Sequence, residues 1–117
     1  MRDHTKLRAF ELADSLALMV YEMTRKFPKE ELFGLTSQMR RAAVSVASNI
    51  VEGCARSSET EFIRFLEIAY GSARELEYQA TLATRLGYLE SEKAGELARC
   101  SVETSKVLNG LIRSLRR

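Results

Sequence analysis

The chain has 117 residues, of which 45% are hydrophobic and 29% charged, and its formal net charge is +2. This length fits a single domain over residues 1–117, the composition excludes a disordered chain, and so small a charge makes no case for nucleic-acid binding by itself. No apolar stretch approaches the roughly 20 residues that span a bilayer, and charges interrupt the N-terminal segment, so we expect a cytoplasmic protein with no membrane partner.

Apolar side chains recur every three or four residues near the start of the chain, which predicts a first helix over residues 5–27. Pro28 ends this helix, because proline disfavours helical geometry at the residue before it. A short connection follows, in which we expect Leu32 and Phe33 to tuck under the bundle.

The next two helices also show helical periodicity and recognisable first residues. The second is predicted over residues 36–54, with Thr36 as its N-cap, because a threonine hydroxyl can accept a hydrogen bond from a first-turn amide. The third is predicted over residues 59–86, where Ser58 and Glu61 fit a capping box. Each of these helices therefore begins at a local sequence signal.

The fourth helix is predicted over residues 92–115, where leucines and small residues alternate steps of four and three, as in a heptad seam. No segment is typical of a strand. Four helices joined by short connections favour an all-α fold, an antiparallel up-down-up-down four-helix bundle.

Residues that could carry catalysis or hold a metal are scarce. His4 is the single histidine, and Cys54 and Cys100 form no Cys-x-x-Cys pair, so we interpret both cysteines as buried, reduced thiols. The sequence has no phosphate-binding loop, no dinucleotide-binding glycine pattern and no Glu-x-x-His pair for a di-iron centre. We therefore predict no catalytic residue, no metal site, no cofactor and no small-molecule substrate, and we infer that the protein is not an enzyme.

Polar side chains form stripes beside the apolar faces of the second and third helices. Three interpretations are open: a solvated surface with weak ion pairs, a partly buried network that fixes helix register or subunit contacts, and a polar substrate pocket. We favour the network, because alanines and serines on the second helix allow another helix to approach closely. Its predicted members are Arg40, Arg41, Asn49, Glu52, Glu67, Arg74 and Glu77.

In an up-down-up-down bundle, both chain termini lie at one end. Basic residues exceed acidic ones there, whereas charges at the opposite end are balanced. Such an excess of basic residues can bind a phosphate backbone without specificity for the nucleic-acid sequence. The alternative is that these cations only interact favourably with the dipoles at helix C-termini. No aromatic platform accompanies these cations in the sequence, so base stacking is not expected. The predicted phosphate contacts are Lys6, Arg8, Arg113, Arg116 and Arg117.

Two runs, LTSQMRRAAVSVASNIVEG at residues 35–53 and FIRFLEIAYGSARELEYQ at residues 62–79, carry a family resemblance. They resemble the small bacterial four-helix-bundle family named for 23S ribosomal RNA intervening sequences. They also resemble its relatives, the accessory variability determinant proteins of diversity-generating retroelements. The resemblance implies a four-helix bundle and a ring-like homo-oligomer, expected to be a pentamer. For the retroelement relatives it implies binding of RNA and of a reverse transcriptase through a basic surface.

Together these observations predict a non-enzymatic, homo-oligomeric helical bundle that serves as an RNA- or nucleic-acid-associated accessory protein. The expected partners are further copies of the chain, and RNA or a reverse transcriptase. The alternative is a protein–protein scaffold that binds no nucleic acid.

Overall fold

The computed structural model describes residues 2–117, and within them the fold is built from four long helices and two short 3-10 turns. Each long helix packs against its neighbours in chain order, and the first also packs against the fourth. No strand occurs in residues 2–117, and the predicted all-α, antiparallel up-down-up-down bundle is confirmed. The helices are α1 (Arg8–Thr24), α2 (Leu35–Cys54), α3 (Glu59–Arg85) and α4 (Ser91–Leu115), and the turns span His4–Lys6 and Lys29–Glu31.

The core consists of two clusters that follow one another along the bundle axis. The first joins the start of α1 and α3 to the end of α2 and α4, with Phe62 and Leu108 among its buried side chains. The second joins the opposite helix ends and includes Met39, Leu76 and Leu97. We call the first end, which also holds Arg2 and Arg117, the terminal end, and the other the distal end.

The first helix begins later than the predicted range of residues 5–27. The Asp3 carboxylate accepts a hydrogen bond from the Thr5 amide at 3.0 Å and so caps a separate 3-10 turn. Leu7 is extended, and α1 begins at Arg8. The prediction was wrong here because a short aspartate side chain competes locally for the backbone amides that would continue a helix.

The same helix also ends earlier than predicted, at Thr24 rather than near residue 27. The hydroxyl of Thr24 donates to the carbonyl of Val20 at 2.7 Å, inside the last turn. Phe27, directly before Pro28, is buried with its ring centroid 5.3 Å from that of Tyr88. Proline therefore ends the helix early enough for the phenylalanine to pack across the distal end.

A carboxylate, and not the predicted Thr36 hydroxyl, satisfies the first turn of α2. Glu31 accepts hydrogen bonds from the Leu35 amide and from the Tyr88 hydroxyl, both at 2.9 Å, and the hydrogen bonds lower the pKa of this carboxyl group. Thr36 is buried within the helix, and Gly34 holds the N-cap position. A Cβ atom at Gly34 would lie 2.7 Å from Glu31 Oε1, so glycine leaves room for this cap.

Leu32 and Phe33 do not tuck under the bundle as predicted. Leu32 is 50% exposed and Phe33 is 93% exposed. They lie between the 3-10 turn and the first residue of α2, where the Gly34 amide donates to the Glu31 carbonyl at 3.0 Å. This tight connection carries the backbone over the distal end and leaves both side chains in solvent. We call Leu32 and Phe33 the distal knob.

Candidate assembly and phosphate-contact surfaces

The seam between α2 and α3 is closed by small residues. The hydroxyls of Ser45 and Ser72 lie 2.8 Å apart across it. At Gly53, an added Cβ atom would lie 3.0 Å from Phe65 Cβ and 3.2 Å from Phe62 Cδ1, which is closer than ordinary packing allows. The run of alanine, serine and glycine on α2 therefore brings the two helices into direct contact.

Asn49, predicted as part of a polar network between helices or subunits, instead forms hydrogen bonds within its own helix. Its side-chain amide donates to the Ser45 carbonyl at 2.8 Å and to the Ser45 hydroxyl at 3.0 Å. It thereby extends the serine contact of the α2–α3 seam by one turn, and it meets neither of the predicted glutamates on α3.

Arg74 and Glu77, both predicted members of the network, form an ion pair one turn apart on α3, and Glu77 also contacts α4. Arg74 is 3.6 Å from the Glu77 carboxylate and donates to the Tyr70 hydroxyl at 3.0 Å. Glu77 also accepts a hydrogen bond from the Ser105 hydroxyl of α4. Glu77 thus receives both an ion-pair partner and a cross-helix hydrogen bond, which fixes the register of α3 against α4.

Two other predicted network members pair elsewhere. Glu52 pairs with Arg56, just past the end of α2, at 2.5 Å. Glu67 pairs with Arg116, which follows the last residue of α4. Both pairs are partly solvated, so each contributes about 0–1 kcal/mol.

The neighbouring arginines Arg40 and Arg41 differ in their contacts. Arg40 donates from Nε to the buried Thr24 hydroxyl at 2.9 Å, and its guanidinium lies 4.8 Å from the Tyr21 ring centroid. It therefore joins α2 to α1. Arg41 is exposed and forms no ion pair with any residue from 2 to 117. The seven predicted residues form separate contacts and no single network, and a role for them between subunits stays a prediction.

The five predicted phosphate contacts divide into two groups. Arg8 is 2.6 Å from Glu103, and Arg116 pairs with Glu67. The remaining three are exposed, and no ion pair to them is found in the part of the chain that the structure describes; they are Lys6, Arg113 and Arg117. The terminal end therefore offers three side chains that form no ion pair with residues 2–117.

Arginines at the terminal end that are not among the five predicted phosphate contacts lie over aromatic rings. Arg2 lies 3.9 Å from the Phe62 ring centroid, and Arg56 lies 4.9 Å from that of Phe65. The Phe62 ring is buried and the Phe65 ring is only partly accessible. The guanidinium groups cover these rings, which therefore offer no free face to a nucleic-acid base.

Two open grooves at the distal end were not predicted from the sequence. One, of about 560 Å³, lies between α1 and α2 and is lined by the distal knob, Arg40 and Arg41. The other, of about 420 Å³, lies between α1 and the start of α4 and is lined by Leu18, Met23 and Leu89 among others. The one feature of the sequence that could have indicated them is the apolar pair Leu32 and Phe33, which lies between the helix breakers Pro28 and Gly34.

Chemistry within the described residues is limited. No three histidine, cysteine, aspartate or glutamate side chains among residues 2–117 cluster closely enough to hold a metal ion. Burial raises the pKa of both Cys54 and Cys100, so the reactive thiolate is disfavoured. None of the helices described is long and apolar enough to cross a membrane.

Four long helices that pack in chain order, with separate polar contacts between them, define an all-α four-helix-bundle protein. The model of the 23S rRNA-intervening sequence protein family matches residues 5–110, and the chain belongs to that family. This confirms the family resemblance seen in the sequence. The match does not test the likeness to retroelement accessory proteins, which stays a prediction.

A solved structure supports the same assignment. The chain is similar to a crystal structure of a protein of unknown function from the S23 ribosomal protein family of Bacteroides thetaiotaomicron. The two share 26% identity with a TM-score of 0.83, over 90% of this chain and 95% of the other. A comparison with curated proteins finds no match. The family and structural matches indicate no catalytic family.

Proposed function

We propose that this protein is a non-enzymatic, homo-oligomeric accessory protein that holds RNA by its phosphate backbone at the terminal end. The observation that carries the proposal is the group of three exposed cations there, Lys6, Arg113 and Arg117, for which the described residues provide no carboxylate partner. Their charges are available to phosphate without breaking an existing ion pair.

The other two predicted contacts contribute less under this proposal. Arg8 and Arg116 would each have to exchange a carboxylate for a phosphate, which replaces one ion pair by another. A homo-oligomer compensates for the small number of free cations per chain. Once one subunit has bound the RNA, the cations of the other subunits are held near it at a high effective concentration. Assembly and phosphate binding therefore support one another.

Binding of a structured RNA hairpin at several salt concentrations tests this proposal. Replacing Lys6, Arg113 and Arg117 together by alanine is expected to weaken binding at least tenfold and to flatten its salt dependence, because fewer counterions are released. The matched control replaces Arg25, Lys29 and Arg85 by alanine at the distal end and is expected to change binding much less. Absence of binding by the unaltered protein at low salt would contradict the proposal.

A protein–protein scaffold without nucleic-acid binding is the second candidate. The exposed distal knob favours it, since Phe33 is 93% exposed and aromatic side chains are enriched in protein–protein interfaces. Sedimentation would show an oligomer, expected to be a pentamer from the family resemblance, while RNA binding would be absent. A reverse transcriptase, implied for the retroelement relatives, would be the protein partner to test.

A further inference from the structure

The distal end carries two apolar surfaces of opposite shape. The distal knob projects from the connection between α1 and α2, with Phe33 93% exposed. The groove between α1 and α4, which we call the α1–α4 groove, is concave, and Leu18, Met23 and Leu89 line it. Its volume of about 420 Å³ leaves room in this open groove for a group larger than a phenyl ring.

The charges around the two surfaces are complementary. Arg40 and Arg41 line the knob's side of the bundle, and no acidic residue lines the groove there among those described. Three glutamates and two lysines line the α1–α4 groove, and one of these lysines, Lys93, lies 3.6 Å from Glu96. Glu22 and Glu90 form no ion pair within residues 2–117, so their carboxylates are available to cations of another molecule.

The position of the two surfaces favours a second copy of the chain as the partner. Knob and groove lie on neighbouring sides of one bundle, so they cannot meet within one chain. Both lie at the same end, so a contact between copies needs no rise along the bundle axis, and such a head-to-tail contact forms a ring where the rotation between copies closes. Neighbouring sides of a four-helix bundle face roughly at right angles, which suits a ring of about four or five copies.

We propose that Leu32 and Phe33 of one copy insert into the α1–α4 groove of the next, with Arg40 and Arg41 facing Glu22 and Glu90. This inference rests on the proposed homo-oligomer and identifies the contact that builds it. Because the contact is heterologous, each copy contributes a knob to one neighbour and a groove to the other. The phosphate-contact cations then lie together at one face of the ring.

Two variants and their mixture test the contact by sedimentation. Phe33→Asp removes the aromatic ring of the knob, and Leu18→Asp places a charge in the apolar groove. Both side chains are mostly exposed, Leu18 by 68%, so neither change disturbs the core. Each variant alone is expected to be a monomer with an unchanged circular dichroism spectrum. Mixed at equal concentration they are expected to form a dimer and nothing larger, because a single intact knob meets a single intact groove.

The matched control is Tyr78→Asp on α3, which removes an aromatic side chain that is 59% exposed and lines neither surface. It is expected to keep the mass of the unaltered protein. The proposal is overturned if both distal variants keep that mass, if their mixture stays monomeric, or if Tyr78→Asp alone dissociates the oligomer. An unaltered protein that sediments as a monomer would instead refute the homo-oligomer itself.

Discussion

The α2–α3 seam and the α1–α4 seam of the same bundle are built from opposite kinds of residue. Small side chains close the first, where Ser45 contacts Ser72 and Gly53 lies against two phenylalanines. Larger, flexible side chains border the second, and Leu18 and Met23 leave a groove there. Residue size therefore decides which seam is closed and which contains an open groove.

The largest expected effect comes from enlarging a residue in the closed seam. Gly53→Val is expected to lower the free energy of unfolding by about 1–3 kcal/mol, because its side chain would overlap Phe62 and Phe65. Gly71→Val provides the control, since nothing lies within 4 Å of an added Cβ atom there. That change is expected to stay within about 0.5 kcal/mol. Equal effects in urea-induced unfolding would show that the seam is not tightly packed.

Local signals explain why the helices and their order could be predicted from the sequence. Apolar periodicity, Pro28 after α1 and Gly87 with its positive φ of 81° after α3 act within a few residues of where they stand. The cap of α2 could not be predicted in this way. It depends on the path of a connection that brings the Glu31 carboxylate back to the Leu35 amide.

The candidate sites depend on register between helices, which periodicity does not specify. The sequence places Glu67 and Arg74 seven residues apart on one face, yet Glu67 pairs with Arg116 at the far end of the chain. Likewise, the sequence does not indicate whether the apolar pair Leu32 and Phe33, in the connection between two helices, is buried by the rest of the bundle. Exposure of Phe33 follows from the turn before it and the helix start after it, both of which require the folded structure.

A smaller effect is expected at the rim of the open seam, where Tyr88 donates to Glu31. Hydrogen bonds from Leu35 and Tyr88 lower the pKa of Glu31 below its ordinary 4.5. The folded state therefore favours the ionised carboxylate. This stability is present above about pH 4.5 and is lost as the pH falls through the lower folded pKa.

Tyr88→Phe is expected to lower the melting temperature at pH 7, because it removes a hydrogen bond to the Glu31 carboxylate. The drop in melting temperature between pH 7 and pH 3 is expected to be smaller for this variant than for the unaltered protein, because part of the acid-sensitive stabilisation is absent from the start. Tyr78→Phe is the matched control, since the structure gives its hydroxyl no hydrogen bond within the described chain. Thermal unfolding at the two pH values measures both variants. An identical pH response of Tyr88→Phe and the unaltered protein would contradict the assignment.

The smallest expected effects separate the polar contacts of the two seams. A double-mutant cycle with Ser45→Ala and Ser72→Ala is expected to give a coupling free energy of about 1 kcal/mol, typical of a partly buried hydrogen bond. The same cycle for Arg8→Ala and Glu103→Ala is expected to give about 0.2–1 kcal/mol, because both side chains are more than half exposed. Raising the salt concentration distinguishes them further: mobile ions screen the solvated arginine–glutamate pair and leave the serine contact unchanged. A salt-insensitive coupling between Arg8 and Glu103 would mean that the α1–α4 seam excludes water, and the contrast between the seams would then be one of side-chain size alone.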